Sequence, residues 1–366
     1  MISALGEDGL GLIQTQLDAL GELEEIEEPK VSEAQGYTVY SVPCKHSYQN
    51  FDLVISVDQD GKIAGIVMGN YSNEEAADLP FLDTETVAFG DEYKISGTLT
   101  TPHGETDYPC VIMLSGSGPN DRDETIGPNK PFRDIAEGLA QNGIATLRFD
   151  KRTYLYPKEV VSDIDFTVSN EYVIDAIAAY DLLKERDDIS DIYLLGHSLG
   201  GQILPLVEDE VDVKGLIYMA APARDLITLI KDQISYLETF EGNDISSYKE
   251  EIARLEDLDA LADDEQVMGA YKAYWKDILN YDQLEAAKDI TIPQLFLQGE
   301  EDYQVTMEDM SLWKENIKDG IFISYPSLTH IFMEGDLDQG PSAYMQKGKV
   351  AEDVIEDISA FITETR

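Results

Sequence analysis

The chain has 366 residues, of which 26 are Lys or Arg and 73 are Asp or Glu, giving a formal net charge of −47. That balance argues against a nucleic-acid-binding surface, which needs clustered cations to neutralise phosphates, and against adhesion to anionic membranes. Apolar residues make up 43% of the sequence, enough for a sizeable core in one large domain or two ordinary ones, and no run of about eighteen uncharged apolar residues marks a membrane span.

The first residues, Met1 to Asp8, carry neither a basic stretch nor an apolar one. No secretory signal is read there, so the expected compartment is the cytoplasm, or the exterior if the chain is the mature form of an exported protein. From Gly9 to Glu28, Leu10, Ile13, Leu17 and Leu20 recur at helical spacing and Pro29 follows as a stop signal, which predicts an amphipathic helix. Tyr37–Val42, Phe51–Val57 and Lys62–Met68 read as strands, with a hairpin turn at Asp58–Gly61. Residues 1–82 are therefore expected to form a small α+β domain that ends in a polar, acidic linker from Asn70 to Leu82.

Residues 83–366 alternate short β-rich runs with helical patterns, the arrangement of an α/β domain with a mainly parallel sheet. The predicted strands are Cys110–Leu114, Ala145–Phe149, Ile192–Leu195, Leu216–Met219, Gln294–Leu297 and Ile321–Ser324. Helices are expected at Phe132–Gln141, Tyr172–Arg186, Leu199–Val207, Glu308–Ile317 and Val350–Ile362. Between Pro222 and Asp289 the alternation lapses into acidic helical sequence, which predicts a helical cap at about 222–289. Cys44 and Cys110 fall in different predicted domains and are expected as free thiols.

Directly after the strand ending at Leu195 comes Gly196-His197-Ser198-Leu199-Gly200-Gly201, followed at once by a helical pattern. A serine at such a sharp strand-to-helix turn takes a strained backbone conformation and needs small residues two before and two after it. The helix that starts there points its free amides and the positive end of its dipole at the space over Ser198. A serine nucleophile needs a base within reach and an acid to orient that base. Of the four histidines, His46 lies in the first domain, His103 in a Pro-Gly loop and His197 beside the serine, which leaves His330 in the loop after Ile321–Ser324. For the acid, Glu300, Glu301 and Asp302 compete in the loop after Gln294–Leu297.

In sequence order, Leu114-Ser-Gly-Ser-Gly-Pro-Asn-Asp-Arg-Asp123, Arg148–Arg152, Gly196–Gly201, Gly299–Val305 and Leu328–Phe332 resemble the α/β-hydrolase superfamily. Within it they resemble the bacterial dienelactone-hydrolase-like and acyl-esterase branch with a helical cap. The resemblance covers roughly Thr86 to Arg366, and the small first domain, with its Asp-Gly-Lys-Ile-Ala-Gly stretch at 60–65, looks like a module often found ahead of such hydrolases in Gram-positive bacteria. It implies an α/β-hydrolase fold and selects Asp302 as the acid, in the order Ser198, Asp302, His330. Where the family usually has His-Gly after the first parallel strand, this chain has Ser115-Gly116. The implied oxyanion donors are the backbone amides of Ser117 and Leu199. Asp121, Arg122, Asp123, Arg148, Lys151 and Arg152 either bind a substrate carboxylate or form ion pairs that brace this loop.

Gly116 and Gly118 invite a dinucleotide-binding reading, but Asp121 stands where the third glycine belongs and Pro119 breaks the turn. No motif for a cofactor or a metal is found. The expected activity is hydrolysis of small carboxylic esters through an acyl-enzyme. Acyl transfer, thioester or amide hydrolysis, or a non-catalytic binding role are the alternatives. Tyr236, Tyr271, Tyr274, Trp275 and Tyr281 in the cap either line an acyl or aryl pocket or only pack the cap.

Overall fold

The computed structural model describes residues 22–34, 37–46, 50–58, 61–69, 79–240 and 245–366, which divide into two units between Leu79 and Pro80. In the first unit the strands are β1 (Leu23–Ile26), β2 (Lys30–Ala34), β3 (Tyr37–His46), β4 (Phe51–Val57) and β5 (Ile63–Gly69). They pair antiparallel in the order β1-β3-β4-β5, with β2 also on β3. Tyr40 stands opposite Ile55, and Ile55 opposite Ile66, so these three large apolar side chains share one face of the pleat.

The helix expected over Gly9–Glu28 is corrected at its end. Leu23–Ile26 is a strand, paired with Cys44–His46 of β3, and residues 9–21 lie outside the described residues. Lys45 reaches back to Glu25 and Glu27 at 3.0 and 2.7 Å. A ladder partner and these ion pairs are available to Leu23–Ile26 only in the strand conformation, which outweighs its weak helical pattern.

In the second unit β6 (Leu82–Phe89) and β7 (Ile95–Pro102) precede the six expected strands, here β8 (Tyr108–Leu114), β9 (Ala145–Phe149), β10 (Ile189–His197), β11 (Leu216–Met219), β14 (Gln294–Gly299) and β15 (Ile321–Tyr325). A two-residue hairpin, β12 (Gln266–Val267) with β13 (Ala270–Tyr271), stands apart. The large sheet runs β15-β14-β11-β10-β8-β9-β7-β6. From β15 to β9 every pairing is parallel, and β7 is antiparallel to both β9 and β6. It is an α/β-hydrolase sheet.

Alternation along the central strands separates two cores. Cys110, Ile112, Leu114, Leu194, Tyr218 and Phe296 pack on one face, and Val111, Met113, Tyr193, Leu195, Ile217 and Leu295 on the other. Both faces are covered by helices, including Pro131–Gln141, Ile174–Lys184, Leu199–Glu208, Met307–Asn316 and Glu352–Thr365, as a parallel sheet requires. Both cysteines are buried free thiols. Chain order reverses between β8 and β10, since β8 is followed to one side by β9 and is flanked on the other by β10. The loops leaving the carboxyl ends of β8 and β10 therefore diverge around a crevice, the usual place for a ligand in an open α/β sheet.

Candidate active site

Ser198 leaves β10 with φ 52° and ψ −122° and caps the helix Leu199–Glu208. A non-glycine residue in this region is strained, and the surroundings hold it there. Its amide donates to the Met219 carbonyl at 2.9 Å, and its carbonyl accepts from Gly201 and Gln202. The turn works only without side chains at its flanks. A Cβ on Gly196 would stand 2.4 Å from the Gly200 carbonyl oxygen, and one on Gly200 would stand 2.2 Å from that of Leu114. These obstacles are backbone. Gly200→Ala is therefore expected to destabilise the protein by about 1–3 kcal/mol, the scale of overpacking a dense core, and to abolish esterase activity. A melting curve and kcat check both, and a variant with wild-type values for each would contradict the constraint.

His330 and Asp302 come together from neighbouring loops. His330 Nδ1 donates to Asp302 Oδ2 at 2.7 Å, with both side chains buried. The Asp302 carboxylate also accepts the Gln304 and Val305 amides at 2.7 and 3.0 Å and the Gln298 side chain at 3.1 Å. The competing acids are engaged elsewhere. Glu300 accepts from the Ser324 hydroxyl and Glu301 from the Leu337 amide, each at 2.8 Å. The Glu301 amide donates to the Leu328 carbonyl, tying the acid loop to the histidine loop. The other histidines are accounted for: His103 pairs with Asp83 at the surface, His46 packs on Phe51 in the first unit, and the His197 ring stands against that of His330 with centroids 4.6 Å apart.

The loop after β8 brings Gly116 against Ser198, so that a Cβ on this glycine would stand 3.2 Å from the serine Cβ. The Gly116 carbonyl accepts from Asn120 Nδ2, Lys151 Nζ and the Tyr172 hydroxyl at 2.8–3.0 Å. In a trans peptide the following N–H points the opposite way, so these three donors turn the Ser117 amide away from themselves. Ser117, Ser198 and Leu199 all line a cavity of about 580 Å³. Neither the Ser117 nor the Leu199 amide donates to an acceptor among the described residues, which leaves both available to an oxyanion.

The charged residues around this loop brace it. Arg122 pairs with Asp150 at 2.5 Å, Arg148 with Asp123, Lys151 with Glu171 at 2.7 Å and Arg152 with Asp175 at 2.7 Å. Burial lowers the Lys151 pKa from the ordinary lysine value, against the opposing pull of Glu171. Lys151 belongs to the charged group expected here, whereas Glu171 and Tyr172 had no recognisable signal in the sequence, because they reach Lys151 and Gly116 only through the fold. Among the described residues, no three His, Cys, Asp or Glu side chains come together so as to hold a metal ion.

Between β11 and β14 lie the helices Leu226–Leu237, Ser246–Leu255, Lys272–Asn280 and Gln283–Lys288. Arg224 anchors the start of this segment on Asp309 at 2.8 Å, with both side chains buried. Of the five aromatic candidates, Tyr271, Tyr274 and Trp275 line the cavity together with Leu229, Ile230 and Phe166. The Tyr274 hydroxyl donates to Glu171 at 2.7 Å. Tyr236 and Tyr281 are corrections, since neither lines the cavity. Tyr236 donates to the Leu337 carbonyl and stacks on Tyr303 with centroids 4.3 Å apart. Tyr281 lies just past the end of its helix in extended backbone and packs on the core.

Comparison with known proteins bears on this geometry. A profile of the family described as serine aminopeptidase, S33, matches residues 130–337, a segment that contains Ser198, Asp302 and His330. Over 345 residues the chain is 35% identical to esterase EstD of Thermotoga maritima, covering 92% of this chain and 82% of that one. The chain belongs to this hydrolase family. It is a serine hydrolase of the carboxylesterase type, acting on small-molecule esters. Among solved structures, Est1E from Butyrivibrio proteoclasticus superposes with a TM-score of 0.51 at 20% identity, over 76% of this chain and 98% of that one. A puromycin hydrolase superposes with a TM-score of 0.51 at 15% identity, over 94% of this chain and 48% of its own. These two likenesses are of fold. The esterase hydrolyses its substrate on an α/β-hydrolase scaffold, and among the described residues no helix is long and apolar enough to cross a membrane.

Proposed function

We propose that ester hydrolysis proceeds at Ser198 by way of an acyl-enzyme. The Ser198 hydroxyl oxygen bonds to the ester carbonyl carbon while its proton passes to His330 Nε2. Asp302, bonded to Nδ1, fixes the tautomer that leaves Nε2 free and stabilises the imidazolium. The carbonyl oxygen, now negative, is met by the Ser117 and Leu199 amides, each donor of this kind contributing about 3–4 kcal/mol to transition-state stabilisation. His330 returns the proton to the leaving alcohol, and water then repeats the sequence to release the acid and restore the serine. What supports this reading is three features carried by loops at the carboxyl edge of one sheet: a strained serine at a helix start, a buried His–Asp pair at 2.7 Å whose imidazole lies 4.6 Å from that of His197 beside the serine, and two unengaged amides.

A fluorophosphonate probe tests it. Labelling is expected on the peptide containing Ser198, with loss of p-nitrophenyl acetate and butyrate turnover in proportion; an inert protein, or a label on another serine, contradicts the assignment. The cap segment 222–289 serves in this reading as a lid over the acyl group, with Tyr271, Tyr274 and Trp275 giving the cavity an apolar wall suited to an alkyl or aryl acyl chain.

The net charge of −47 repels anionic substrates, and salt screens that repulsion. The Debye length falls from about 30 Å near 0.01 M salt to about 8 Å near 0.15 M. For an ester with a carboxylate on its acyl group, kcat/KM is expected to rise over that range, while a neutral ester of equal size shows no rise. Parallel salt titrations check this, and equal responses would remove the electrostatic account.

A further inference from the structure

A second histidine–carboxylate pair, unused by this mechanism, lies beneath the loops that carry it. Glu124 and His197 are 2% and 4% exposed. Glu124 Oε1 accepts the Gly116 amide at 2.6 Å and stands 2.9 Å from His197 Nδ1. His197 Nε2 stands 2.9 Å from the His330 carbonyl oxygen. A carbonyl only accepts, so Nε2 bears a hydrogen. The carboxylate oxygen that already takes the Gly116 N–H is an acceptor toward Nδ1 too, so Nδ1 bears the other. The ring is then an imidazolium against a carboxylate.

The charges around it agree with that state. Asp302 faces His197 from the loop after β14, His330 from its own loop, and Glu124 from the loop after β8, where Lys151 in turn lies near Glu124. Burial opposes a charge on His197, but Glu124, the His330 carbonyl and Asp302 outweigh it and hold its pKa above the ordinary imidazole value. Glu124 itself sits at φ 52° with Oε2 buried and without a partner. Both features are costly, and they place Oε1 between the Gly116 amide and the imidazole.

We propose that Glu124 and His197 are a positioning pair that ties the Gly116–Ser117 segment to the backbone of His330. The pair sets the distance between an oxyanion donor and the base, and so rests on the roles assigned to Ser117, Ser198 and His330 under Proposed function. A neutral imidazole has one N–H and can hold only one of the two loops. Removing the carboxylate or the ring therefore releases the same coupling.

Kinetics of the full-length chain with p-nitrophenyl butyrate test this in Glu124→Gln, His197→Gln, the double variant and Ser198→Ala. Each single is expected to lower kcat about 10- to 100-fold, the scale for misplacing reacting groups by about an ångström, with KM within about twofold. The double is expected to be no slower than the slower single, as for residues acting as a unit. Wild-type kcat in both singles, with Ser198→Ala inactive, overturns the pair and leaves the triad standing; an active Ser198→Ala overturns the triad instead. Losses that multiply in the double also overturn the pair. If the singles do not fold, ring ¹⁵N NMR of the wild-type protein decides, with signals assigned through His46→Gln, His103→Gln and His330→Gln. Just above the ordinary imidazole pKa of about 6.5, the His197 ring is expected to carry protons on both nitrogens. A neutral His197 ring there overturns the proposal.

Discussion

Ser198→Ala is expected to lower kcat on p-nitrophenyl butyrate by about 10⁴–10⁶-fold, with His330→Ala close behind and the double variant no worse than either single. The size follows from what remains. Without the hydroxyl, two buried nucleophiles among the described residues do not replace it. Cys110 is buried in the sheet core, and the Ser115 hydroxyl is buried with no hydrogen-bond partner, so nothing removes its proton. The fold should survive, since Ser198 holds its turn through backbone bonds to Met219, Gly201 and Gln202 that alanine keeps. The positive φ of 52° is no easier for alanine than for serine. In the proposed mechanism the remaining amides still favour the oxyanion, and the expected residual rate is about 10³–10⁴-fold over water. Steady-state kinetics on protein whose active sites have been counted by the probe check this. More than about one hundredth of the wild-type kcat in Ser198→Ala would place the nucleophile elsewhere.

Much of this site was legible because its signals are local. Gly196–Gly200 is a contiguous pattern between a strand and a helix, and four histidines in the whole chain made His330 reachable by elimination. Four of the six predicted strands were legible for a similar reason, as the cores of β8, β10, β11 and β14 are buried and read as apolar runs. β6 was missed because only Val87 and Phe89 of its eight residues are buried. Its place in the sheet comes from pairing with β7, which no local pattern announces. Glu124 was invisible for a different reason. Among 73 acidic residues, nothing in sequence separates the one that binds His197, 73 positions away, from those that face water. Lys151 meets the Gly116 carbonyl across 35 positions, a contact set by the packing of loops. The cap aromatics divided for the same cause, because partners distant in sequence decide which of them reach the cavity, as Tyr303 and Leu337 do for Tyr236.

Asp302→Asn is expected to cost about 10⁴-fold in kcat, while Glu300→Gln and Glu301→Gln stay within about threefold of wild type, as surface changes do. All three carboxylates stand in one loop, so composition cannot rank them and hydrogen bonding must. An asparagine in place of Asp302 can keep its oxygen toward the Gln304 and Val305 amides, which are bonded to Oδ1. Its NH₂ then replaces Oδ2, facing both His330 Nδ1 and the Gln298 amide nitrogen. The imidazole answers by moving its single proton to Nε2 so that Nδ1 can accept, and in that tautomer it cannot take the proton of Ser198. Glu300 and Glu301 bond to Ser324 and the Leu337 amide, and neither touches the imidazole among the described residues. Because the tautomer and not the fold is the cause, the Asp302→Asn variant should retain cooperative melting and show slow fluorophosphonate labelling while kcat collapses. A fast Asp302→Asn alongside a slow Glu300→Gln or Glu301→Gln would move the acid to that neighbour.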